Sequence, residues 1–347
     1  MLNGSQPLVG LIANPASGKD IRRLVAHGSA IDNQTKVSIV RRVLVGVQAL
    51  GGVRVLWMPD EQHLCDRAVE GLPAETRARS DAAPLGMRVT GEAEDSAVAA
   101  RLMAEAGAAC LVVLGGDGTA RVVARGAGDV PLVPISTGTN NVLPRHTEGT
   151  IAGISAGAVA LGLVARREAI YRHKRLRVQV AGRSPVDALV DVAVLEGRFL
   201  GSRAVWDMSR LRQVIVSRSS PASIGISAIA GAVRPLSVSE PLGVALWLAS
   251  PDDEARCRFR ALAAVGPGLV ARLGVERVRE LRSGESVAIE ADRPLVLALD
   301  GEREISLAPG QSATVTLGLD GPWIVDPDRV MGGLASGGLL CSPCDGA

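Results

Sequence analysis

The sequence predicts two domains: an N-terminal α/β domain with a doubly wound parallel sheet, followed by an all-β, sandwich-like domain. Up to residue 168, short apolar runs alternate with segments of helical periodicity, which is the pattern of a parallel sheet covered by helices. After that point, short β-rich runs are separated by turns. We therefore place the α/β domain at residues 1–168 and the β-rich domain at 169–328. A Gly- and Cys-containing tail, which we expect to be disordered, follows at 329–347.

In the α/β domain, each predicted strand is a short apolar run bounded by turn-forming residues, and each predicted helix has apolar residues at helical spacing. The first helix, for example, carries Val37, Val40, Leu44 and Val47 on one face. Strands are predicted at residues 8–13, 53–58, 87–90, 110–114 and 132–135, and helices at 34–50, 60–71, 94–107 and 151–165, with a loop at 72–84. In the second domain, strands are predicted at 175–180, 186–194, 244–248, 286–289, 295–299 and 313–317.

The composition narrows the class of function. The formal net charge of +2 is too balanced to indicate a nucleic-acid or membrane-surface partner. The small-molecule substrates that we expect follow from the motifs described below. The longest uncharged apolar run, residues 151–165, is shorter than the roughly 20 residues of a membrane span, so no membrane span is expected. The five Cys, an odd number, and an N-terminus without a secretory pattern indicate a cytoplasmic protein.

A Gly-rich loop at residues 115–119 is the main candidate for a ligand site, because it lies at the carboxyl end of a predicted buried strand, where open α/β sheets bind ligands. Its glycines let the backbone approach a bulky anion, and its N–H groups and the following helix N-terminus suit phosphate. The carboxylate in this loop has two uses in phosphoryl transfer: it binds Mg²⁺, or it accepts a proton from the attacking hydroxyl. A Gly-rich turn with a capping Asp is the alternative. The loop residues are Gly115, Gly116, Asp117, Gly118 and Thr119, with Thr119 as a candidate N-cap.

Two further polar loops follow predicted strands of the same sheet. Asn14 opens the turn after the first strand, and Asn-Pro is a common turn pair. The loop after strand 132–135 offers neutral groups for phosphate or ribose oxygens, or is simply a polar turn; it consists of Thr137, Gly138, Thr139, Asn140 and Asn141. In the second domain, Asp300 and Glu302 flank Gly301 after a strand, and can either approach Mg²⁺ and the attacking hydroxyl or belong to an ordinary Asp-Gly hairpin turn.

The four motifs together resemble the superfamily of NAD kinases and diacylglycerol kinases. They are N-P-A-S-G at 14–18, G-G-D-G-T at 115–119, S-T-G-T-N-N at 136–141 and D-G-E at 300–302, in the order of that superfamily. The combination looks most like the ATP-NAD/AcoX kinase group. The resemblance, which spans residues 8 to about 325, implies an NAD kinase/diacylglycerol kinase-like fold, ATP and Mg²⁺ as cofactors, and a homo-oligomer. It implies a nucleotide site at Asn14 and the two loops, and catalytic roles for Asp117, Asp300 and Glu302, with Asp117 also the Mg²⁺ ligand.

The acceptor pocket departs from the NAD kinases. Where they carry an Asn-Glu pair that helps to hold NAD, this chain has Val190 and Asp191, so the resemblance gives Asp191 an acceptor-binding place. The implied reaction is phosphorylation of a hydroxyl of NAD or of a related small metabolite, with ATP or polyphosphate as donor. Two alternatives stay open: a lipid kinase of the diacylglycerol or sphingosine type, and a non-catalytic nucleotide-binding regulatory protein.

Overall fold

The computed structural model describes residues 6–17, 31–138, 141–197, 207–249, 254–301 and 303–341. Its first part contains these elements in chain order: β1 (Leu8–Ala13), α1 (Asn33–Gln48), β2 (Arg54–Trp57), α2 (Leu64–Glu70), α3 (Ala74–Arg79), β3 (Ala82–Pro84), α4 (Glu94–Glu105), β4 (Cys110–Gly115), α5 (Asp117–Ala127), β5 (Leu132–Ser136), α6 (Gly149–Ala160), α7 (Arg166–Ala169) and β6 (Ile170–Arg172).

The remaining elements form the second part and the return of the chain: β7 (Arg175–Val180), β8 (Val186–Ala188), β9 (Asp191–Glu196), β10 (Leu211–Val216), α8 (Ser227–Val233), β11 (Leu242–Leu248), β12 (Phe259–Gly266), β13 (Leu269–Arg282), β14 (Ser286–Glu290), β15 (Leu295–Leu299), β16 (Arg303–Leu307), β17 (Ser312–Gly318), β18 (Trp323–Val325) and α9 (Pro327–Ser336).

The first sheet has the strand order β3-β2-β1-β4-β5-β18-β6, in which β6 alone runs antiparallel to its neighbour. The helices α1, α2, α6 and α9 contribute to the core on one face, and α4 and α5 to the core on the other. The strand order reverses between β1 and β4, and a crevice forms at such a switch point, at the carboxyl ends of the strands. The predicted α/β class is therefore confirmed, and the fold places the loops after β1 and β4 side by side.

Helices α1 and α6 pack in close contact because glycines face each other at the crossing. A Cβ atom on Gly46 would overlap the backbone of α6, and one on Gly153 would overlap the backbone of α1. Asp32 caps the start of α1 by accepting a hydrogen bond of 2.7 Å from the amide of Thr35. The Gly- and Ala-rich run around 151–165 is therefore a helix of the core, as predicted.

The second part consists of two antiparallel sheets, as the sequence predicts. One has the order β12-β13-β11-β10-β9-β15-β16 and the other β14-β17-β7-β8. Their facing strands bury alternate apolar side chains, such as Val178 and Val315 of the small sheet and Val192 and Leu297 of the large sheet, in one core. The outer face of the large sheet is covered in part by α8.

Three predictions from the sequence are wrong in detail. The third strand lies at Ala82–Pro84, within the predicted loop, because its backbone pairs with β2 at the edge of the sheet; residues 87–90 form no strand. Segments at both ends of the predicted second domain, β6 and β18, pair with the first sheet. The predicted disordered tail contains α9, which buries Val330 and Leu334 against the first core and is capped by Asp326. The end of that tail, with Cys344, lies outside the described residues.

In the ranges that the structure describes, no helix has both the length and the apolar character needed to cross a membrane.

Candidate active site

Three loops meet at the carboxyl ends of β1, β4 and β5. The side-chain amide of Asn14 donates to the hydroxyl of Thr119 across 2.9 Å, which joins the first loop to the second. The hydroxyl of Thr137 donates to that of Ser17, also across 2.9 Å, which joins the third loop to the first. The amide of Thr137 donates to the carbonyl of Gly115. Segments more than 100 residues apart therefore form one polar floor, as the motif order predicts.

The Gly-rich loop turns directly into α5. Gly116 is the N-cap in an extended conformation, and the helix begins at Asp117, so the N-cap predicted at Thr119 is wrong. Thr119 instead lies in the first turn, 7% exposed, with its side chain directly over Gly115. A Cβ atom on Gly115 would overlap that side chain, so only glycine allows this close approach.

Asp117 lies at the N-terminus of α5 with its carboxylate facing the loop that follows β5. Oδ1 accepts a hydrogen bond of 2.8 Å from the amide of Leu143, and Oδ2 accepts one of 2.9 Å from the amide of Val142. The side chain is almost wholly buried. These contacts hold the carboxylate in one orientation.

Lys36 is a site residue that the sequence analysis missed. Its ammonium group is fully buried and donates to the carbonyls of Asn14, Pro15 and Ser17 across 3.0, 3.0 and 2.5 Å. It thus supports the turn that carries Asn14. A signal existed in the sequence: Lys36 stands four residues before Val40 and lies on the apolar face of α1, where a charge needs partners.

The loop after β15 carries Asp300, which has a positive φ of 50° and a side chain with 0% exposure. Its carboxylate accepts hydrogen bonds from the amides of Leu189, Val190 and Asp191, the shortest of them 2.8 Å. Nη1 of Arg121, on α5, lies 3.1 Å from Oδ2 and also donates to the carbonyl of Leu299. Burial raises the pKa of Asp300, and Arg121 and the amides oppose that rise. This group of contacts joins α5 to the second domain.

Asp191 lies beside Asp300, at the start of β9. Its side chain is buried, and Oδ1 has no hydrogen-bond partner among the residues that the structure describes. Burial raises the pKa of Asp191 well above its ordinary value, and the charges of Asp300 and Asp117 raise it further. Both effects favour the protonated form of this carboxyl group.

The third loop is described only in part. Asn141 donates from Nδ2 to the hydroxyl of Ser136, which in turn donates to the carbonyl of Gly138. Thr139, Asn140 and Glu302 of the predicted site lie outside the described residues.

A cleft of about 1100 Å³ separates α5 from the β7–β8 hairpin of the second domain. Asn14, Gly118 and Thr119 line one end of it, and Arg121 and Arg125 continue the lining along α5. The cleft is therefore continuous with the polar floor. Over the described ranges, no group of three or more His, Cys, Asp or Glu side chains is arranged to hold a metal ion.

Comparison with known proteins agrees with this architecture. Acetoin catabolism protein X of Cupriavidus necator is 38% identical over 325 residues, which cover 90% of this chain and 88% of that protein. This chain belongs to the acetoin catabolism protein X family. The family's C-terminal domain model matches residues 174–320 of this member, and the ATP-NAD kinase N-terminal domain model matches residues 9–160.

Two solved structures share the fold of this family member. Yeast NADH kinase in complex with NADH superposes with a TM-score of 0.54 at 12% identity, covering 99% of this chain and 91% of the kinase. A putative diacylglycerol kinase from Bacillus anthracis strain Sterne superposes with a TM-score of 0.52 at 13% identity, covering 93% and 98%. The predicted NAD kinase/diacylglycerol kinase-like fold is confirmed.

Proposed function

We propose that this protein is a phosphotransferase that moves a phosphoryl group from ATP to a hydroxyl of NAD or of a related small metabolite, with Mg²⁺. The observation that carries the proposal is the polar floor, in which Asn14, Thr119 and Thr137 interlock around the N-terminus of α5. Such a helix end, next to glycine backbone, suits a phosphate chain. The match to the ATP-NAD kinase domain model supports ATP as the donor.

The donor phosphates would lie against this floor, and the remainder of the nucleotide would extend into the cleft along α5. Gly115, Gly116 and Gly118 would offer backbone N–H groups, and Asn14 and Thr119 side-chain groups. Thr137, Gly138, Thr139, Asn140 and Asn141 would complete the nucleotide site from the third loop. These groups are uncharged hydrogen-bonding groups, which suit phosphate and ribose oxygens.

Asp117 would act on the acceptor hydroxyl. The hydroxyl oxygen attacks the terminal phosphorus of ATP, the bond from that phosphorus to the bridging oxygen breaks, and ADP leaves with the bridging oxygen. The proton of the hydroxyl passes to the Asp117 carboxylate, whose orientation is held by the amides of Val142 and Leu143.

The residues fit Mg²⁺. This ion is usually held by one or two carboxylates together with substrate phosphates, and does not need an all-protein cluster. The carboxylate of Asp117 is held by two amides at the N-terminus of α5, and its charge raises the pKa of Asp191. Oδ1 of Asp191 has no hydrogen-bond partner among the described residues, and binding of Mg²⁺ there would displace the proton of this carboxyl group. When bound, Mg²⁺ would neutralise charge on the phosphate oxygens.

On the acceptor side, Asp191 would face the substrate. The sequence predicts a catalytic role for Asp300, but its carboxylate already binds three amides and Arg121. We assign Asp300 a positioning role, in which it holds the segment 189–191 against α5. Glu302 stays a candidate for direct contact with the attacking hydroxyl.

The first experiment measures NADP formation from NAD, ATP and Mg²⁺ by the purified protein, beside Asp117→Asn and the surface control Asp81→Asn. We expect activity in the wild type and in Asp81→Asn, and a loss of about a hundredfold or more in Asp117→Asn, the scale of a lost general base. If ATP turnover depends on Asp117 and occurs with a metabolite or lipid pool but not with NAD, the protein is a kinase whose acceptor is not NAD. ATP binding without turnover on any acceptor would favour a regulatory protein.

A further inference from the structure

Arg218 lies two residues after the end of β10, where its side chain interacts with Tyr171 of the first sheet. Its Nη1 atom is buried and has no hydrogen-bond partner within the described ranges. Burial lowers the pKa of Arg218, and the nearby charge of Arg145 lowers it further. The function proposed above does not use this guanidinium.

The backbone on both sides of Arg218 is fixed. The hydroxyl of Ser217 donates to the carbonyl of Leu189 across 2.6 Å, and the amide of Ser219 donates to the carbonyl of Leu236 across 3.1 Å. The point at which the Arg218 side chain leaves the backbone is therefore held by contacts on both sides.

The groups around Arg218 come from four segments. Tyr171, on β6, interacts with it through its hydroxyl, and Arg145 follows β5, where its carbonyl accepts from the amide of Ser136. Asp117 acts on it from the start of α5, and the ammonium of Lys174 lies near enough to repel it. The charges that act on Arg218 are therefore those of two further cations, Arg145 and Lys174, and of one carboxylate, that of Asp117.

A buried, incompletely bonded guanidinium beside other cations is costly in the unliganded protein. Replacement of the guanidinium by a well-packed apolar side chain is expected to leave the free energy of unfolding unchanged or to raise it. The arrangement is understandable if a ligand supplies the missing anion, and two arginines with a phenol hydroxyl match the several acceptor oxygens of phosphate.

We propose that Arg218 and Arg145, with the hydroxyl of Tyr171, bind a phosphate group of a substrate beside Asp117. The inference deepens the proposed function and rests on it only where the phosphate is assigned to a substrate. That phosphate belongs either to the donor or to the acceptor, and the second case means that the acceptor hydroxyl is carried by a phosphorylated metabolite.

The test measures phosphate binding and needs no turnover. Inorganic phosphate and tripolyphosphate are titrated into wild-type protein and into Arg218→Met and Arg145→Met, with binding followed by calorimetry and by the midpoint of thermal unfolding. Arg167→Met removes the same charge from an exposed side chain on α7 and serves as the control. Because the side chain of Arg145 is exposed, its variant is expected to fold even if Arg218→Met does not.

We expect Arg218→Met to be at least as stable as wild type without phosphate, and its dissociation constant for phosphate to rise about tenfold or more, the size of one charge-assisted hydrogen bond. Arg145→Met should also weaken binding, and Arg167→Met should not. Unchanged phosphate binding in both site variants would overturn the proposal, as would a loss of stability in unliganded Arg218→Met combined with normal phosphate binding in Arg145→Met.

The source of the phosphate follows from competition with ATP and Mg²⁺. If saturating ATP removes the Arg218-dependent binding of inorganic phosphate, the site takes a phosphate of the donor. If the two ligands stabilise the protein additively, the site takes a phosphate of the acceptor. Phosphate binding that depends on Arg218 in a protein without kinase activity would leave this inference standing and contradict the proposed function.

Discussion

Lys36→Met tests whether a buried ammonium shapes the nucleotide site. Methionine keeps the length and apolar stem of lysine on the inner face of α1 and removes its charge and donors. The carbonyls of Asn14, Pro15 and Ser17 then lose the donor that they share. The turn that carries Asn14, and with it the contact between Asn14 and Thr119, should shift.

The expected loss of stability follows from two opposing effects. Each buried carbonyl left without a donor costs about 1–3 kcal/mol. The carbonyl of Asn14 keeps the amide and the hydroxyl of Ser17 as donors, so the carbonyls of Pro15 and Ser17 set an upper limit of about 6 kcal/mol. Removal of a desolvated ammonium and entry of water to the half-buried turn offset much of this cost. We expect a net loss of about 2–4 kcal/mol in the free energy of unfolding.

Lys174 offers a matched control in the second domain. Its ammonium is also buried and donates to three carbonyls, those of Ser237, Glu240 and Leu242, across 2.8–2.9 Å. Lys174→Met should therefore lower the free energy of unfolding by a similar amount. Lys174 contacts none of the three loops of the polar floor, although its charge acts on Arg218. Lys36→Met should therefore weaken ATP binding by about tenfold, and Lys174→Met by clearly less.

Urea unfolding and calorimetric titration with ATP and Mg²⁺ measure the two effects separately. Wild-type stability and ATP affinity in Lys36→Met would refute the reasoning, because they would mean that the turn holds its shape without the ammonium. Equal losses of ATP affinity in both variants would attribute the effect to general destabilisation.

Three further predictions concern buried charges. Burial lowers the pKa of His173 to about 3, so the native state binds fewer protons than the unfolded state between about pH 6.5 and 3. The contribution of His173 to the free energy of unfolding should therefore fall by about 2 kcal/mol from pH 7 to pH 5. In urea unfolding, His173→Gln should lose this dependence on pH. Asp191→Asn should be more stable than wild type at pH 7, because the raised pKa makes unfolding release a proton there, and the difference should vanish as the pH falls towards 3.8. Arg121→Met and Asp300→Asn should each cost about 3–5 kcal/mol, and the double variant less than their sum.

Each of these predictions has an outcome that contradicts it. An unchanged acid slope in His173→Gln would mean that His173 gains a proton in the native state. If Asp191→Asn is less stable than wild type at pH 7, the carboxylate of Asp191 is ionised in the native state and is stabilised by its surroundings. Additive losses for Arg121 and Asp300 would show that their contact does not couple the domains energetically.

The sequence by itself determined the fold class, the two-domain order and the loops that form the candidate site. These depend on local signals: apolar periodicity, glycines at tight approaches, and polar motifs directly after buried strands. Because parallel strands end at the same edge of a sheet, motif order alone was enough to bring Asn14, Thr119 and Thr137 together.

Only the tertiary structure decided which charges have partners. Arg121 and Asp300 are 179 residues apart, and no local pattern links them. The same holds for the support of Asn14 by Lys36 and for the burial of Asp191 and Arg218 between the domains. The last helix, α9, was missed because it buries only two side chains and gains its stability from the core of a domain that begins some 300 residues earlier. Electrostatic energies and packing depend on distance in space, which the order of residues does not contain.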